Sequence, residues 1–377
     1  MADVVVIGGG YAGLASLISL AKKNPSLKLH LIDANQEHCK ITNLHKTFAK
    51  PVADFSVPYA QLAERFGFTF HQQRLHIDND RIKHWQQHKK ISLNDQELDF
   101  DWLIISTGAT ALVPPAGDHV YGLEHLMAGH GPTLLEEWRA RAERQRLDIS
   151  FVGGGATGLQ ILFELQTLLR QQKIDAGLRL IDMNNRTVPF LSERAHRYIV
   201  RKLRREEITY LPQTEYLGQN DDSAITLKQR DSGREFQLDS AATLLFAGVK
   251  RHPLAIPTNS SGQVEIEGEL LPDIFSAGDC SDYAGTGLNL LTAQAAIRKG
   301  KLVAHNIVNL HAGRQLRPYH YQEKGYLMSL GPIDAIGWVG LRCNFARGFS
   351  ANVLKEAMES QYDLFLDGVD TYVGFPT

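Results

Sequence analysis

Two glycine-rich turns have spacings that point to chemistry, and the first lies near the start of the chain. Gly8, Gly10 and Gly13 fit the pattern G-x-G-x-x-G between an apolar run and a helical pattern, and Asp33 ends the next apolar run. Such glycines allow a tight turn and let the backbone approach a pyrophosphate, which the helix N-terminus stabilises. Asp33 can accept hydrogen bonds from a ribose hydroxyl. The pattern predicts a βαβ unit that binds a dinucleotide.

The same pattern recurs further along the chain. Gly153, Gly155 and Gly158 repeat the spacing, and Asp182 takes the acidic position. A carboxylate there repels a 2′-phosphate and accepts hydrogen bonds from a free 2′-hydroxyl, so NADH is favoured over NADPH, although Arg186 lies nearby in sequence. A glycine turn alone also occurs for packing reasons. The combination of strand, turn, helix, strand and terminal acid is specific for a dinucleotide-binding unit.

The elements that position these turns predict the domain organisation. Two short strand-like runs, residues 103–109 and 244–249, end at small residues and frame the second unit. We interpret them as crossings between lobes. The fold class is therefore α/β, with two Rossmann-like dinucleotide-binding domains, the second inserted in the first, and a small C-terminal α+β lobe. The predicted limits are 1–112 and 247–310 for the first domain, 113–246 for the second and 311–377 for the C-terminal lobe.

A third acidic position separates the roles of the two turns. The apolar run in residues 274–283 ends in two small residues and then Asp279, whose carboxylate can bind a polyol chain. Here the sequence resembles the FAD-dependent pyridine nucleotide oxidoreductases, whose second flavin motif ends in such an acid bound to the ribityl chain. The resemblance implies FAD in the first domain, at the turn of Gly8, and NADH in the second, at the turn of Gly153.

Within that superfamily the chain is most similar to the type II NADH dehydrogenases, which pass electrons from NADH to quinone without pumping protons. The resemblance covers nearly the whole chain, to about residue 340, in the segments HCKITNLHKTFA, STGAT, LLFAGVKRHPL, LLTAQAAIRKGKLVAHNI and EKGYLMSLGPIDAIGWVG. It implies further cofactor contacts at Tyr11, Ala12, Thr107, Gly108, Thr157, Gly248, Ala293 and Gln294.

The Ala-Gln helix is also informative on physical grounds. One face collects apolar side chains, so the helix packs inward with its N-terminus toward the crevice that follows Asp279. These residues are Ala293, Ala296, Ile297, Ala304, Ile307 and Val308. A helix N-terminus near the flavin stabilises the anion formed on reduction.

Three residues are catalytic candidates by resemblance. Gln294 is expected at the flavin edge, near where the family binds quinone, and its alternative role is to satisfy its own helix end. The acceptor is expected near Gln294 and the strands from Lys324 to Gly331. Where the family carries Glu near the nicotinamide, this chain has Gln160, whereas Glu164, one helical turn on, agrees with the family.

The C-terminal segment predicts a helix with one mildly apolar stripe. Its members are Phe345, Phe349, Val353, Met358, Tyr362 and Phe365. Acids as well as bases occupy the polar face, which favours packing on the protein itself or across a homodimer over contact with a membrane.

Cysteine and histidine usage argues against thiol and metal chemistry. Disulfide reductases carry a C-x4-C pair just after the first acid, but Leu44 stands where a partner of Cys39 is needed. The absence of a second cysteine near Cys39 also argues against a sulfide:quinone oxidoreductase, because that chemistry needs at least two correctly placed thiols. His84 and His88 fall in a predicted turn and strand, so we expect surface histidines and no metal site.

The composition limits which classes of binding partner and which cellular location we expect. The chain has 377 residues, 43% hydrophobic and 22% charged, with a net charge of -2. This balance favours small-molecule partners over nucleic acid. The first residues do not resemble a signal peptide, and the apolar runs are too short to span a bilayer. We expect a cytoplasmic protein, with peripheral contact at the inner face of the membrane left open.

The sequence therefore predicts an FAD-dependent oxidoreductase that takes hydride from NADH and passes electrons to a quinone-like acceptor. Three alternatives stay open. One is a soluble NADH:acceptor reductase for a redox protein or a small electrophile, one is a sulfide:quinone-type oxidoreductase, and one is an NADH-responsive flavoprotein with an interaction role.

Overall fold

The computed structural model describes residues 2–94, 96–111, 119–220, 223–246, 248–251, 255–285 and 289–372. Its strands are β1 Asp3–Ile7, β2 Lys28–Asp33, β3 Glu37–Cys39, β4 Ser56–Pro58, β5 Phe68–Gln72, β6 Lys90–Ser92, β7 Glu97–Asp99, β8 Trp102–Ile105, β9 Ala109–Ala111, β10 Val120–Tyr121, β11 Leu147–Val152, β12 Ala176–Ile181, β13 Thr209–Leu211, β14 Thr214–Gln219, β15 Ala224–Gln229, β16 Glu235–Asp239, β17 Ala242–Leu245, β18 Val249–Arg251, β19 Ile256–Thr258, β20 Gln263–Ile266, β21 Glu269–Ser276, β22 Ser281–Tyr283, β23 Gly325–Ser329, β24 Ala335–Val339 and β25 Phe345–Arg347. Its helices are α1 Tyr11–Lys23, α2 Tyr59–Phe66, α3 Asn79–His88, α4 Leu123–Met127, α5 Gly131–Ala142, α6 Ala156–Gln172, α7 Glu193–Arg205, α8 Ala293–His311 and α9 Gly348–Leu366, with 3₁₀ helices at Ile41–Lys46 and Val52–Phe55.

The first sheet is built around the strand that precedes the first glycine turn. Its order is β22-β19-β20-β21-β8-β1-β2-β5, and the part from β21 to β5 is parallel. Val4, Val5 and Val6 in β1 are fully buried, as in a parallel sheet covered on both faces. The chain continues from β1 to β2 on one side and later adds β8 on the other. This reversal opens a crevice at the carboxyl end of β1.

The second sheet repeats that arrangement around the second glycine turn. Its order is β10-β17-β11-β12-β13, and all its pairs are parallel. Its strands come from residues 120–245, whereas those of the first sheet come from residues 3–105 and 256–283. The predicted α/β class is confirmed. The predicted limits at residues 112 and 247 lie outside the described residues, so the domain limits stay a prediction.

The segments predicted as crossings lie next to each other. β9 and β18 form an antiparallel ribbon in which Ala111 pairs with Val249 and Ala109 pairs with Arg251. β9 follows β8 of the first sheet, and β18 follows β17 of the second. The two passages between the sheets therefore support each other through backbone hydrogen bonds.

The C-terminal segment packs on both sheets. It forms the antiparallel sheet β23-β24-β25 and helix α9. Ile336 and Trp338 of β24 join the hydrophobic core of the second sheet. Tyr362 and Phe365 of α9 join the core around α1 and α8. Within the described residues, no helix combines the length and the apolar character needed to cross a membrane.

The predicted apolar stripe on the C-terminal helix is wrong. Phe345 lies on β25, because the chain turns at Gly348, where φ is +77° and α9 begins. Phe349 and Val353 are 69% and 51% exposed, whereas Tyr362 is buried. At 3.6 residues per turn, the nine residues from Val353 to Tyr362 place them on opposite faces of the helix.

The predicted turn and strand at His84 and His88 are also wrong. Both residues lie on α3, whose N-terminus is capped by Asp78 through a 2.7 Å hydrogen bond from the Arg81 N–H. The two imidazole rings stack with centroids 4.0 Å apart, and both side chains are exposed as predicted.

Candidate active site

The first glycine turn leaves an open space in front of α1. Gly8 has φ +97°, and a Cβ there would lie 2.5 Å from the Ser106 carbonyl oxygen. A Cβ on Gly13 would lie 1.9 Å from the Gly8 carbonyl oxygen, so α1 packs directly on the turn. Nothing in the described part of the chain lies within 4 Å of the Cβ position of Gly10. The helix N-terminus therefore offers free backbone N–H groups where a pyrophosphate fits.

Asp33 is held at the edge of this space. Its Oδ2 accepts a 2.6 Å hydrogen bond from the Gly9 N–H and a 3.4 Å hydrogen bond from the Tyr59 hydroxyl. Its Oδ1 accepts from the Asn35 N–H at 2.8 Å. The carboxylate predicted to bind a ribose is thereby fixed beside the turn.

Helix α8 and the Asp279 loop pack against the same turn. A Cβ on Gly278 would lie 2.9 Å from Ala12 Cβ, and a Cβ on Gly300 would lie 2.2 Å from the Ala12 carbonyl oxygen. Small residues therefore bring α8 and the loop directly onto the first turn of α1. This contact places Asp279, which is half-buried, and the half-buried Gln294 on the side of the first domain that carries Gly8.

The start of α8 is capped by its own sequence. The Thr292 side chain accepts a 3.2 Å hydrogen bond from the Ala295 N–H, and Ala293 is the first helical residue. The predicted inward packing is confirmed, since Ala296, Ile297, Ala304 and Ile307 are buried.

The second glycine turn reproduces the first. Gly153 has φ +106°, and a Cβ on Gly158 would lie 2.4 Å from the Gly153 carbonyl oxygen. The Cβ position of Gly155 has no atom within 4 Å in the described part of the chain. Asp182 Oδ2 accepts a 2.9 Å hydrogen bond from the Gly154 N–H, as Asp33 does from Gly9.

Asp182 is further held by Asn184, which donates to Oδ1 from its backbone N–H at 2.8 Å and from its side chain at 3.1 Å. Burial raises the pKa of Asp182, and these hydrogen bonds act in the opposite direction. A nucleotide at this turn would meet the Asp182 carboxylate and an open helix N-terminus.

The remaining predicted cofactor residues lie where the strands end. Thr107 is exposed and Gly108 has φ +78°, and both lie between β8 and β9. Gly248 has φ +100° and precedes β18. Thr157 is exposed on the first turn of α6. Tyr11 is buried instead, and its hydroxyl is 2.9 Å from Thr42 Oγ1.

Two of the three catalytic candidates, Gln160 and Lys324, lie at opposite ends of β23. Gln160 Oε1 accepts hydrogen bonds from both the backbone N–H and the hydroxyl of Ser329, each at 3.2 Å, and so joins α6 to β23. Lys324 is exposed at the opposite end of β23. Gln294 lies on the first turn of α8.

A cavity of about 430 Å³ lies where α6, α9, the 3₁₀ helix Ile41–Lys46 and the β23–β24 loop meet. Its walls mix apolar and charged side chains. The lining residues are His45, Lys46, Phe48, Ala49, Lys50, Glu164, Thr167, Leu168, Gln171, Gly331, Pro332 and Glu356. Burial raises the pKa of Glu164 to about 7, although Lys46 and Lys355 lower it.

Sequence reasoning missed a buried contact between α9 and the first glycine turn. His38 Nδ1 is 3.1 Å from the Gly9 carbonyl oxygen, and its Nε2 is 3.0 Å from the Tyr362 hydroxyl. A carbonyl oxygen only accepts, so Nδ1–H donates and Nε2 accepts from Tyr362. Burial lowers the pKa of His38 to about 4, which keeps the ring neutral. His38 and Tyr362 lie 324 positions apart, so no local pattern links them.

The cysteines are all free and differ in their surroundings. Cys280 is buried with its thiol 3.5 Å from the carbonyl oxygens of Ile105 and Ala277, Cys39 is half-buried and Cys343 is exposed. Cys280 therefore serves packing beneath the first sheet.

Comparison with known proteins agrees with this geometry. The chain is 25% identical over 368 residues to the type II NADH:quinone oxidoreductase of Staphylococcus aureus, which covers 89% of each chain. Among solved structures, NDH2 of Plasmodium falciparum in complex with NADH superposes with a TM-score of 0.80 at 12% identity, over 99% of this chain and 98% of that one. The sulfide:quinone oxidoreductase of Aquifex aeolicus gives a TM-score of 0.76 at 18% identity, over 98% and 92% of the two chains.

Two parallel sheets, each with an open glycine turn closed by an acid, define an α/β protein of the dinucleotide-binding class. The chain belongs to the pyridine nucleotide-disulphide oxidoreductase family, whose sequence model matches residues 2–300. It lacks the cysteine pair after Asp33, because Leu44 follows Cys39 at the required spacing.

Proposed function

We propose that this chain binds FAD in its first domain, residues 1–112 and 247–310, and NADH in its second, residues 113–246, and that it transfers reducing equivalents from NADH to a quinone. The observation that carries the proposal is the pair of matching turns, each open at its middle glycine and each closed by a fixed carboxylate. Similarity to a type II NADH:quinone oxidoreductase over nearly the whole chain supports the choice of substrates.

The first domain offers partners to the pyrophosphate, the ribose and the ribityl chain of FAD. Gly8, Gly10 and Gly13 leave room for the pyrophosphate at the N-terminus of α1. Asp33 would accept hydrogen bonds from the ribose hydroxyls, and Asp279 would accept them from the ribityl chain. Bound there, FAD would supply the two-electron redox chemistry that links oxidation of NADH to reduction of the acceptor.

The second domain favours NADH over NADPH. Asp182 presents a carboxylate where a 2′-phosphate would lie, and the like charges repel each other. Arg186 is engaged elsewhere, since it donates to the Leu191 carbonyl oxygen at 2.9 Å and pairs with Glu193 at 3.2 Å. Gly155 and Thr157 border the open helix N-terminus that would hold the pyrophosphate.

A sulfide oxidase has weaker support. The likeness to the Aquifex aeolicus enzyme concerns the fold, at 18% identity. Sulfide oxidation by that route needs paired thiols, and here Cys280 is buried in packing contacts while Cys343 is exposed. A quinone that takes electrons from NADH requires neither thiol.

The C-terminal lobe supports a peripheral position at the inner face of a membrane. Ile333, Leu341 and Phe349 are 70%, 70% and 69% exposed on this lobe. Arg342 and Arg347 lie beside them in sequence and suit anionic lipid headgroups. A lipid surface would also supply a quinone with a long apolar tail.

Flavin identity and substrate dependence test the proposed function. Extraction of the purified protein should release FAD, and NADH oxidation should be seen with ubiquinone-1 and be slower with NADPH at equal concentration. A protein that purifies without flavin, or that holds flavin but oxidises no NADH in the presence of quinones, would sink the proposal.

A further inference from the structure

Lys299 places a charged group inside the protein, on the inner face of α8. The residue is 2% exposed and is among the largest fully buried side chains of the described part of the chain. Removing an ammonium group from water is costly unless polar partners surround it. The partners of Lys299 therefore indicate why the chain carries a charge at this position.

The nearest partners lie in the turn that carries Asp279. The ammonium group donates to Ser281 Oγ at 2.9 Å, and Nζ is 3.4 and 3.5 Å from the carbonyl oxygens of Ser281 and Gly278. Ser281 closes this turn, because its backbone N–H and its hydroxyl both donate to the Gly278 carbonyl oxygen, at 3.3 and 2.6 Å. Gly278 has φ +85°. Lys299 thus holds the residues on both sides of Asp279 and Cys280.

A further partner lies in the segment that leads into α8. Lys299 donates to Asn289 Oδ1 at 3.1 Å. Asn289 also joins this segment to β22, because its Oδ1 accepts from the Tyr283 N–H at 2.9 Å. Its side-chain N–H groups donate to the Tyr283 carbonyl oxygen at 2.9 Å and to Asp282 Oδ1 at 2.8 Å. One cation therefore joins α8, the Asp279 turn and the segment between them.

Two aromatic rings lie beside the same ammonium group. Lys299 Nζ is 4.5 Å from the ring centroid of Tyr283 and 5.9 Å from that of Tyr319. The Tyr283 hydroxyl donates to the Ser276 carbonyl oxygen at 3.0 Å, which fixes its ring at the end of β21. The faces of aromatic rings attract a cation. They stabilise the ammonium group without taking the hydrogen bonds that it makes with the turn.

Lys299 also lies next to the crossing of α8 and α1. The following residue, Gly300, accepts from the Ser16 hydroxyl at 3.1 Å, and its Cβ position is 2.2 Å from the Ala12 carbonyl oxygen. Helical side chains lean toward the N-terminus, which explains why Lys299 reaches residues that precede α8. Its charge therefore lies toward the positive end of the α8 dipole, and the two positive potentials add.

We propose that Lys299 is a positioning residue of the FAD site. Its ammonium group fixes the Asp279 turn so that the carboxylate meets the ribityl chain, and its charge adds to the positive end of α8. The inference rests on the proposed function, which places FAD in the first domain, and it names the residue that holds the Asp279 turn in place.

Coupling between Lys299 and Asp279 separates this role from a general effect on stability. Lys299→Met nearly keeps the length of the side chain and removes its charge, and Asp279→Asn removes the carboxylate. The Kd of FAD is measured by the fluorescence of FAD released from the diluted holoenzyme. We expect each single variant to raise this Kd about tenfold. The double variant should also raise it about tenfold, because the two residues act as one unit.

Lys301→Met is the matched control. Lys301 is a half-buried lysine of the same helix, but it pairs with Asp370 at 2.6 Å. We expect an unchanged Kd of FAD in this variant. A rise of about a hundredfold in the double variant of Lys299 and Asp279, which is the product of two independent effects, would overturn the inference alone. A wild-type protein that binds no FAD would overturn both the inference and the proposed function.

Ser281→Ala repeats the test with a smaller change, in case Lys299→Met does not fold. It removes the nearest acceptor of Lys299 and leaves the charge in place. FAD affinity should fall several-fold in the wild-type background and stay unchanged in the Asp279→Asn background. An equal loss in both backgrounds would contradict the proposed link to Asp279.

The reduction potential of the bound flavin tests the charge, which a purely structural lysine would not influence. Each holoenzyme is equilibrated anaerobically with a reference dye, and the ratio of reduced to oxidised flavin is read from absorbance. Lys299→Met should lower this ratio several-fold, because a positive charge stabilises the reduced anion. Lys301→Met should leave it unchanged. An unchanged ratio in Lys299→Met at full FAD occupancy would overturn the proposed contribution of its charge.

Discussion

Gly10 and Gly13 belong to the same turn but meet different surroundings. The Cβ position of Gly13 is 1.9 Å from the Gly8 carbonyl oxygen, whereas that of Gly10 is open. The close contact at Gly13 serves folding, and the open position at Gly10 leaves room for a ligand. The two residues therefore separate stability from cofactor binding.

Substitution by alanine should show this separation. We expect Gly13→Ala to lower the free energy of unfolding by about 1–3 kcal/mol, because the turn must move to admit the methyl group. Gly10→Ala should leave the unfolding of the flavin-free protein nearly unchanged but weaken FAD binding by about tenfold. Thermal unfolding with and without FAD measures both effects. Equal loss of stability in the two flavin-free variants would contradict the assignment.

Asp182 should set the preference between the two nicotinamide cofactors. Asp182→Asn removes the charge and keeps an oxygen that can accept from Gly154. We expect the ratio of kcat/KM for NADH to that for NADPH to fall by about tenfold, since the repulsion of a 2′-phosphate is lost. An unchanged ratio would show that the carboxylate only holds the glycine turn in place and does not select the cofactor. Glu137→Gln on the exposed face of α5, which leaves both Asp182 and Arg186 intact, is the control.

At the scale of elements, α9 is connected to the first glycine turn through His38. Tyr362 donates to His38, and His38 donates to the Gly9 carbonyl oxygen. Gly9 in turn donates to Asp33 at 2.6 Å. The last helix of the chain thus helps to hold the backbone that is proposed to contact FAD.

Tyr362→Phe removes the hydroxyl and keeps the ring. We expect the dissociation constant of FAD to rise about fivefold, because a buried hydrogen bond contributes about 1 kcal/mol. His38→Asn should retain affinity, since its amide N–H can replace Nδ1–H. Fluorescence of released FAD measures the change, and Tyr216→Phe on β14 is the control. Identical FAD affinity in Tyr362→Phe would show that α9 does not support the turn.

The sequence predicted the elements whose signals are local. Both βαβ units carry their glycines, apolar runs and acids within a short stretch, so β1 to β2 and β11 to β12 could be predicted. Helix α3 could not, because in Asn79–His88 only Ile82 and Trp85 are buried and most residues are polar. Its cap, Asp78, was the available signal.

The candidate site was less predictable than the fold. The sequence suggests Gln160 only for proton delivery, whereas its contact with Ser329 depends on how α6 packs against β23. His38 and His45 lie in a short segment without periodicity, and their partners come from Gly9, Thr42 and the distant α9. Side chains that act through contacts between separate elements leave no local pattern.

At the scale of the whole molecule, the C-terminal segment links the two sheets. Trp338 belongs to the core of the second sheet, and Phe365 belongs to the core around α1 and α8. The cavity draws its walls from the first domain, from α6 and from this segment. The cavity therefore exists only when all three regions are assembled.

The central claim is the sequence of two transfers, from NADH to the protein-bound flavin and from there to a quinone. Anaerobic double-mixing stopped-flow measures both in one experiment, by following the flavin absorbance first with NADH and then with ubiquinone-1. The account predicts rapid bleaching by NADH, slower bleaching by NADPH, and rapid recovery of the absorbance when quinone is added. Rapid bleaching followed by no faster recovery with quinone than with buffer would contradict the account.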